Sequence, residues 1–195
     1  LHSDLRRQRQ MCIRDSGETF PSENIILIGF MGSGKSSVAR DLSGALGYPV
    51  LDTDSLVVER AGKPIRKIFE DNGEEDFRDL ETTILTELEQ AGPRHRIIAT
   101  GGGIIERPTN RDILKRMGFV VWLMASPGEI LRRTAKNRER PLLNNEDPEG
   151  TINRLLEKRV EFYRDTAHQE IETDDLTFPE ISTGIVESAR YFFSS

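Results

Sequence analysis

The sequence predicts an α/β fold, a central parallel sheet of about five strands flanked by helices, on three observations. Residues Gly29-Phe30-Met31-Gly32-Ser33-Gly34-Lys35-Ser36 form a complete G-x-x-x-x-G-K-[ST] phosphate-binding loop between an apolar run and a helical pattern. Strand-like and helix-like stretches then alternate to the end of the chain, the signature of a parallel sheet covered on both faces. Finally, 195 residues with 36% hydrophobic content are enough for one ordinary core, and two domains are not expected.

Taken in order, residues 1–16 lack hydrophobic periodicity and carry Arg6, Arg7, Arg9 and Arg14 against Asp4 and Asp15. They are set apart as a non-native or disordered extension, with an organelle transit segment or a spurious upstream frame as the readings of their origin. The expected single domain spans 17–195. Ile25-Ile26-Leu27-Ile28 reads as a buried strand entering the loop. The loop glycines let successive N–H groups turn inward on a phosphate, and the following helix presents its positive end to the same anion. Lys35 then reaches the β/γ-phosphates and Ser36 offers its hydroxyl to Mg²⁺. Val38, Leu42, Ala45 and Leu46 recur at helical spacing, and Gly47 closes that helix.

Val50-Leu51-Asp52 is a short second strand. Pro64 opens a helix with Ile65, Ile68 and Phe69 on one face, ended by Asn72-Gly73; a longer one follows with Phe77, Leu80, Ile84, Leu85 and Leu88. Ile97-Ile98-Ala99-Thr100 is the next strand, and it runs into Gly101-Gly102-Gly103, a second place where backbone can approach a ligand closely. Residues 110–117 read as a helix closed by Gly118, followed by the strand Phe119-Val120-Val121-Trp122-Leu123. Ser126-Pro127-Gly128-Glu129 supplies an N-cap, a proline at the first helical position and a capping-box acid. Residues 136–150 are first basic, then polar and turn-rich, and read as a mobile lid insertion. From Thr151 a helix aligns Ile152, Leu155, Leu156 and Tyr163; Arg159 falls on the same stripe and calls for an anionic partner or a way out to solvent. Residues 169–173 suggest an edge strand, and Ile181, Ile185, Val186 and Ala189 a last helix.

Composition narrows the function. A net charge of −6 argues against a general nucleic-acid binder, so any anion site is local. The single Cys12 permits no intrachain disulfide, and with His2, His95 and His168 it makes no conventional zinc cluster. No apolar run approaches the roughly 18 residues of a membrane span. The expectation is a soluble, cytoplasmic protein.

Beyond the loop, Asp52-Thr53-Asp54 lies at the carboxyl end of the second strand, where open α/β sheets place ligand groups. On an extended segment the two acids face opposite sides, which gives Asp52 to Mg²⁺ near Ser36 and Asp54 to a second substrate; the plainer alternative is that they cap the next helix. Arg78 stands one turn from Glu81, which can hold its guanidinium, although a solvent-exposed ion pair has the same spacing. Arg133 and Arg140 flank the basic stretch, where a solvated charged turn is the plainer reading.

The order and spacing of these residues resemble the shikimate kinase family over residues 24–193: GFMGSGKSS at the loop, LDTD at 51–54, DFR at 76–78, TGGG at 100–103, RPLL at 140–143 and KR at 158–159. The resemblance implies a P-loop kinase fold of the nucleoside-monophosphate-kinase type, passing the γ-phosphoryl of ATP to the 3-hydroxyl of shikimate in aromatic amino-acid biosynthesis. It further implies that Gly32, Ser33, Gly34, Lys35, Ser36 and Ser37 hold the ATP phosphates, Arg133 lies against the adenine, and the lid residue Arg140 reaches the transferring phosphoryl. Asp54 then holds the acceptor hydroxyls, Arg78 and Arg159 grip the carboxylate, Gly101, Gly102 and Gly103 line that pocket, and Phe69 and Phe77 pack on the ring. Catalysis falls to Lys35, Asp54 and Arg140, with Ser36 and Asp52 at Mg²⁺, in an enzyme acting as a monomer on small molecules.

Two rival classes share the loop. Nucleotide and gluconate kinases share the loop and lid, but the former have no evident use for the triple glycine beside Asp54 and the latter lack this pairing. A GTP-dependent switch or ATP-driven mechanical module would carry Asn-Lys-x-Asp or a strand ending in a Mg²⁺-linked acid. The chain has no Asn-Lys-x-Asp, and Trp122-Leu123-Met124 ends without an acid.

Overall fold

The computed structural model describes residues 24–92, 94–135 and 147–194. The expectations for residues 1–16, for Arg140 and for the lid stretch 136–146 therefore lie outside the described residues. Five strands, β1 (Asn24–Ile28), β2 (Val50–Asp52), β3 (Ile97–Ala99), β4 (Gly118–Met124) and β5 (Gln169–Glu172), form one sheet in the order β2-β3-β1-β4-β5. Every pairing is parallel. The chain leaves β1 toward one edge and later crosses to the other side of it. The carboxyl end of β1 is thus the switch point at which such sheets bind ligands.

The sheet is buried on both faces, which explains why its central strands read as continuous apolar runs and not as alternating ones. On one face Ile25, Leu27, Phe119, Val121 and Leu123 pack against α1 (Lys35–Leu46) and α7 (Phe178–Ser194). On the other, Ile26, Ile28, Ile98, Val120 and Trp122 meet Leu85 of α3 (Ile65–Gln90), Ile113 and Leu114 of α4 (Pro108–Met117) and Tyr163 of α6 (Pro148–Thr166). A short α2 (Thr53–Ala61) packs on α3, and α5 (Pro127–Thr134) packs on α6. The long α3 is two helices joined at a kink, since Gly73 within it has a non-helical backbone, φ 86 and ψ −179, where Asn72-Gly73 is expected to end the first of them.

Three boundaries differ from expectation. Asp52 ends β2, but Asp54 is already in the first turn of α2, so the two acids are not on one extended segment and their opposed orientation does not follow. Instead Asp52 is the N-cap of α2, its Oδ1 accepting from Ser55 N at 3.0 Å. Helix α6 starts at Pro148 and not at Thr151, because Asp147 caps it by accepting from Gly150 N. Likewise α4 starts at Pro108, a proline at the first helical position, and Ala45 of α1 is exposed.

Candidate active site

The phosphate-binding loop joins β1 to α1 at the switch point. Gly29, Gly32 and Gly34 all have positive φ, a backbone that L side chains rarely adopt. Phe30 anchors the loop in a cluster with Ile130 and Ile152. Lys35 is buried and donates from Nζ to the carbonyls of Gly29 at 2.7 Å and Phe30 at 2.8 Å, so its ammonium lies across the mouth of the loop. Ser33 is buried and its Oγ has no hydrogen-bond partner among the described residues, while Ser36 is exposed and Ser37 half-buried on the first turn of α1. Arg133 reaches the loop from α5 and donates to the Gly32 carbonyl at 3.3 Å and to Thr173 Oγ1 at 3.2 Å. Glu129 holds it from the same helix.

Gly101-Gly102-Gly103 is placed beside that loop by β3, and its lack of side chains lets protein neighbours pack close against it. A Cβ on Gly101 would collide with Asp54 Oδ1 and stand 3.0 Å from Glu81 Oε1. One on Gly102 would come within 3.2 Å of Met31 N, and one on Gly103 within 2.6 Å of both Nη atoms of Arg78. The turn is fixed by two bonds: Gly101 N donates to Thr53 Oγ1 at 3.0 Å, and the buried Tyr163 hydroxyl donates to the Gly102 carbonyl at 2.5 Å. Burial pushes the Tyr163 pKa up, which keeps that donor protonated.

Around this turn stand two buried guanidiniums from different helices. Arg78 donates to Glu81 Oε2 at 2.7 Å and to Glu74 at 3.0 Å, and its guanidinium lies 5.4 Å from the centroid of the Phe77 ring. Phe69 joins through Phe77, their centroids 4.8 Å apart. Arg159, the polar member of the apolar stripe of α6, has its counter-charge in Glu106, at 2.6 Å from Nη2. Burial alone would raise the Glu106 carboxyl; the bonds from Lys158 and Arg159 and the charge of Arg78 outweigh it and hold Glu106 below the ordinary range.

Glu81 behaves in the opposite way. Its Oε1 is buried without a hydrogen-bond partner among the described residues. Burial pushes this carboxyl up, Arg78 holds it down, and the charges of Asp54 and Glu106 push it up further, to about 7 against 4.5. The folded protein therefore keeps a proton that the unfolded chain releases above pH 4.5, so stability falls as pH rises from there to about 7 and is level beyond. Glu81→Gln removes that slope, which is worth about 3 kcal/mol across the window. Denaturant unfolding of both proteins at pH 5 and pH 8 checks it, and parallel pH dependences would refute it.

Of the residues singled out in the sequence, Gly32, Ser33, Gly34, Lys35, Ser36 and Ser37 lie on the loop and the first turn of α1, and Arg133 bonds to the loop from α5; Asp54 and Arg78 meet Gly101 and Gly103, Phe77 with Phe69 lies against Arg78, and Arg159 joins Arg78 through Glu106. Asp52 is engaged at a helix cap. Sequence reasoning missed Thr53, Glu106, Tyr163 as a hydroxyl donor, and Phe178, whose ring would stand 3.4 Å from a Cβ on Gly34. The unanswered charge of Arg159 was the signal for Glu106, and position i+4 from Arg159 was the signal for Tyr163.

With this geometry in view, comparison with known proteins is specific. Residues 31–190 match the family model described as shikimate kinase. A shikimate kinase of Caldanaerobacter subterraneus subsp. tengcongensis is 40% identical over 85% of this chain and 95% of its own length. One from Marinomonas sp. is 44% identical over 86% of this chain and 92% of its own. Among solved structures, shikimate kinase from Acinetobacter baumannii in complex with shikimate superposes with a TM-score of 0.81 at 38% identity, covering 86% of this chain and 96% of that one.

Proposed function

The chain belongs to the shikimate kinase family, and on that premise we propose that it transfers the γ-phosphoryl of ATP to the 3-hydroxyl of shikimate, giving shikimate 3-phosphate and ADP on the route to aromatic amino acids. The observation that carries the reading is the packing of one glycine turn against Asp54, the phosphate loop and Arg78 at once, which supports an acceptor site next to the phosphates.

Phosphoryl transfer asks mostly for positioning and neutralisation of charge. Loop N–H groups and Lys35 hold the phosphates, Arg133 lies along the base, and Arg140 reaches the transferring group. Asp54 orients the attacking hydroxyl and accepts from it, and the unpartnered Oε1 of Glu81 offers a further acceptor for a polyol. Arg78 and Arg159 take the carboxylate, for which a guanidinium fork is suited, and Phe69 and Phe77 pack on the ring. Among the described residues no group of three or more His, Cys, Asp or Glu could hold a metal by itself. An exposed Ser36 hydroxyl and the Asp52 carboxylate instead offer the one or two hard oxygens with which Mg²⁺ sites at nucleotides are built, ATP supplying the others. Mg²⁺ held there would neutralise phosphate charge. A lid over the γ-phosphate would exclude water, which otherwise competes with the acceptor hydroxyl. We read the enzyme as a cytoplasmic monomer acting without nucleic acid or membrane; no helix among the described residues is long and apolar enough to cross one.

The test is ADP release from ATP–Mg²⁺ with shikimate, quinate, gluconate and nucleoside monophosphates as acceptors. Shikimate alone stimulates release strongly. Equal or better turnover with a nucleotide overturns the reading.

A further inference from the structure

The two guanidiniums of the acceptor site meet on one oxygen of the protein itself. Glu106 Oε1 accepts from Arg159 Nε at 3.0 Å, from Arg159 Nη2 at 2.6 Å and from Arg78 Nη2 at 3.4 Å, while its Oε2 accepts from Lys158 Nζ at 2.6 Å. Arg78 and Arg159 are buried, so water does little to balance them, and Glu106 is itself only 15% exposed at the side chain. It ends the 3-10 turn Ile104–Glu106 that follows the glycines, and its own N–H donates to the Gly103 carbonyl at 3.0 Å. The segment that lines the acceptor site thus also delivers a carboxylate to its cations. A forked cation pair around one carboxylate is also what a carboxylate-bearing substrate would form.

We propose that Glu106 is an internal carboxylate occupying the substrate carboxylate's place on Arg78 and Arg159, so that binding exchanges one carboxylate for another. The inference rests on the reading that this site takes shikimate. Glu106 keeps the two cations paired and aligned, and Lys158, whose side chain is 60% exposed, holds its second oxygen at the rim and gives it a place to stay when Oε1 gives way. Glu106 acts through the arginines and is a positioning residue. Affinity then reads as a difference between two carboxylates, and a neutral acceptor gains nothing from the exchange.

The experiment measures KM for shikimate, for its neutral methyl ester and for ATP in the wild type and in Glu106→Gln. The variant keeps the shape and removes the competing charge. The KM for shikimate should fall about tenfold, with the change in KM and not in kcat, as expected when ground state and transition state gain alike. For the ester and for ATP it should move less than about twofold. A KM for shikimate that is unchanged or higher overturns the inference, as does an equal gain for the ester, which would mark a general change of packing. If Glu106→Gln does not fold, Glu106→Leu removes the charge at similar volume and carries the same expectation; if neither folds, Glu106 is a structural ion-pair member and the inference fails. Absence of shikimate turnover in the wild type removes the functional reading and this inference together, whereas wild-type turnover with the wrong response at Glu106 removes the inference alone.

Discussion

Asp54→Asn should fold, bind ATP as the wild type does and lose at least about a hundredfold in turnover, the lower end of what a positioned acid–base group contributes. The carboxylate sits in the first turn of α2, where its negative charge is favourable to the helix, and it touches the Gly101 backbone beside Glu81. Asparagine keeps the shape and one acceptor, but not the charge that orients the attacking hydroxyl and favours loss of its proton. Asp52→Asn is the companion measurement. Asparagine caps a helix as well as aspartate does, so the fold is retained and the defect should appear as a raised Mg²⁺ requirement. Titrating Mg²⁺ at saturating ATP and shikimate separates the two: rescue of Asp54→Asn but not of Asp52→Asn would exchange the assignments, and near-normal turnover in Asp54→Asn would reduce that acid to a helix-terminal charge.

Arg159→Ala and Arg78→Ala should each raise the Kd for shikimate roughly ten- to a hundredfold, since a charge-assisted bond to a carboxylate contributes about 1.5 to 3 kcal/mol. Affinity for ATP should hold, because neither arginine touches the phosphate loop by a hydrogen bond among the described residues. The two differ in what they leave behind. Arg78→Ala strands the buried Glu81, whose carboxyl is already pushed up to about 7, so that variant should also lose stability at pH 8 more than at pH 5. Arg159→Ala leaves Glu106 to Lys158 and Arg78, a milder loss. Equal damage to ATP binding by either substitution would move that arginine to the nucleotide side.

What the sequence showed and what it hid divide along a physical line. The loop, its strand and its helix are local, and glycine spacing and apolar periodicity report them directly. The break at Gly73 and the cap at Ser126 were legible for the same reason, each being written in a few adjacent residues. The opposed orientation expected of Asp52 and Asp54 does not follow, and the helix-cap alternative holds for Asp52, because the outcome depends on the residue at which β2 becomes α2, a boundary that periodicity locates poorly. Glu106 was hidden because its partner Arg159 lies 53 residues away and only the fold brings them together. The triple glycine was read as room for a ligand, whereas much of the room is taken by Asp54, Met31 and Arg78.

The hydrogen bond from Tyr163 to Gly102 has an optical consequence. Tyr163 stacks on Trp122, centroids 5.4 Å apart, and Trp122 is the sole tryptophan of the chain. The indole is 5% exposed and, by way of one ring and one hydroxyl, is tied to the glycine turn that packs against the phosphate loop, Asp54 and Arg78. A shift of that turn on binding therefore changes the surroundings of a single emitter, and the unlabelled protein carries its own fluorescent gauge of the acceptor site.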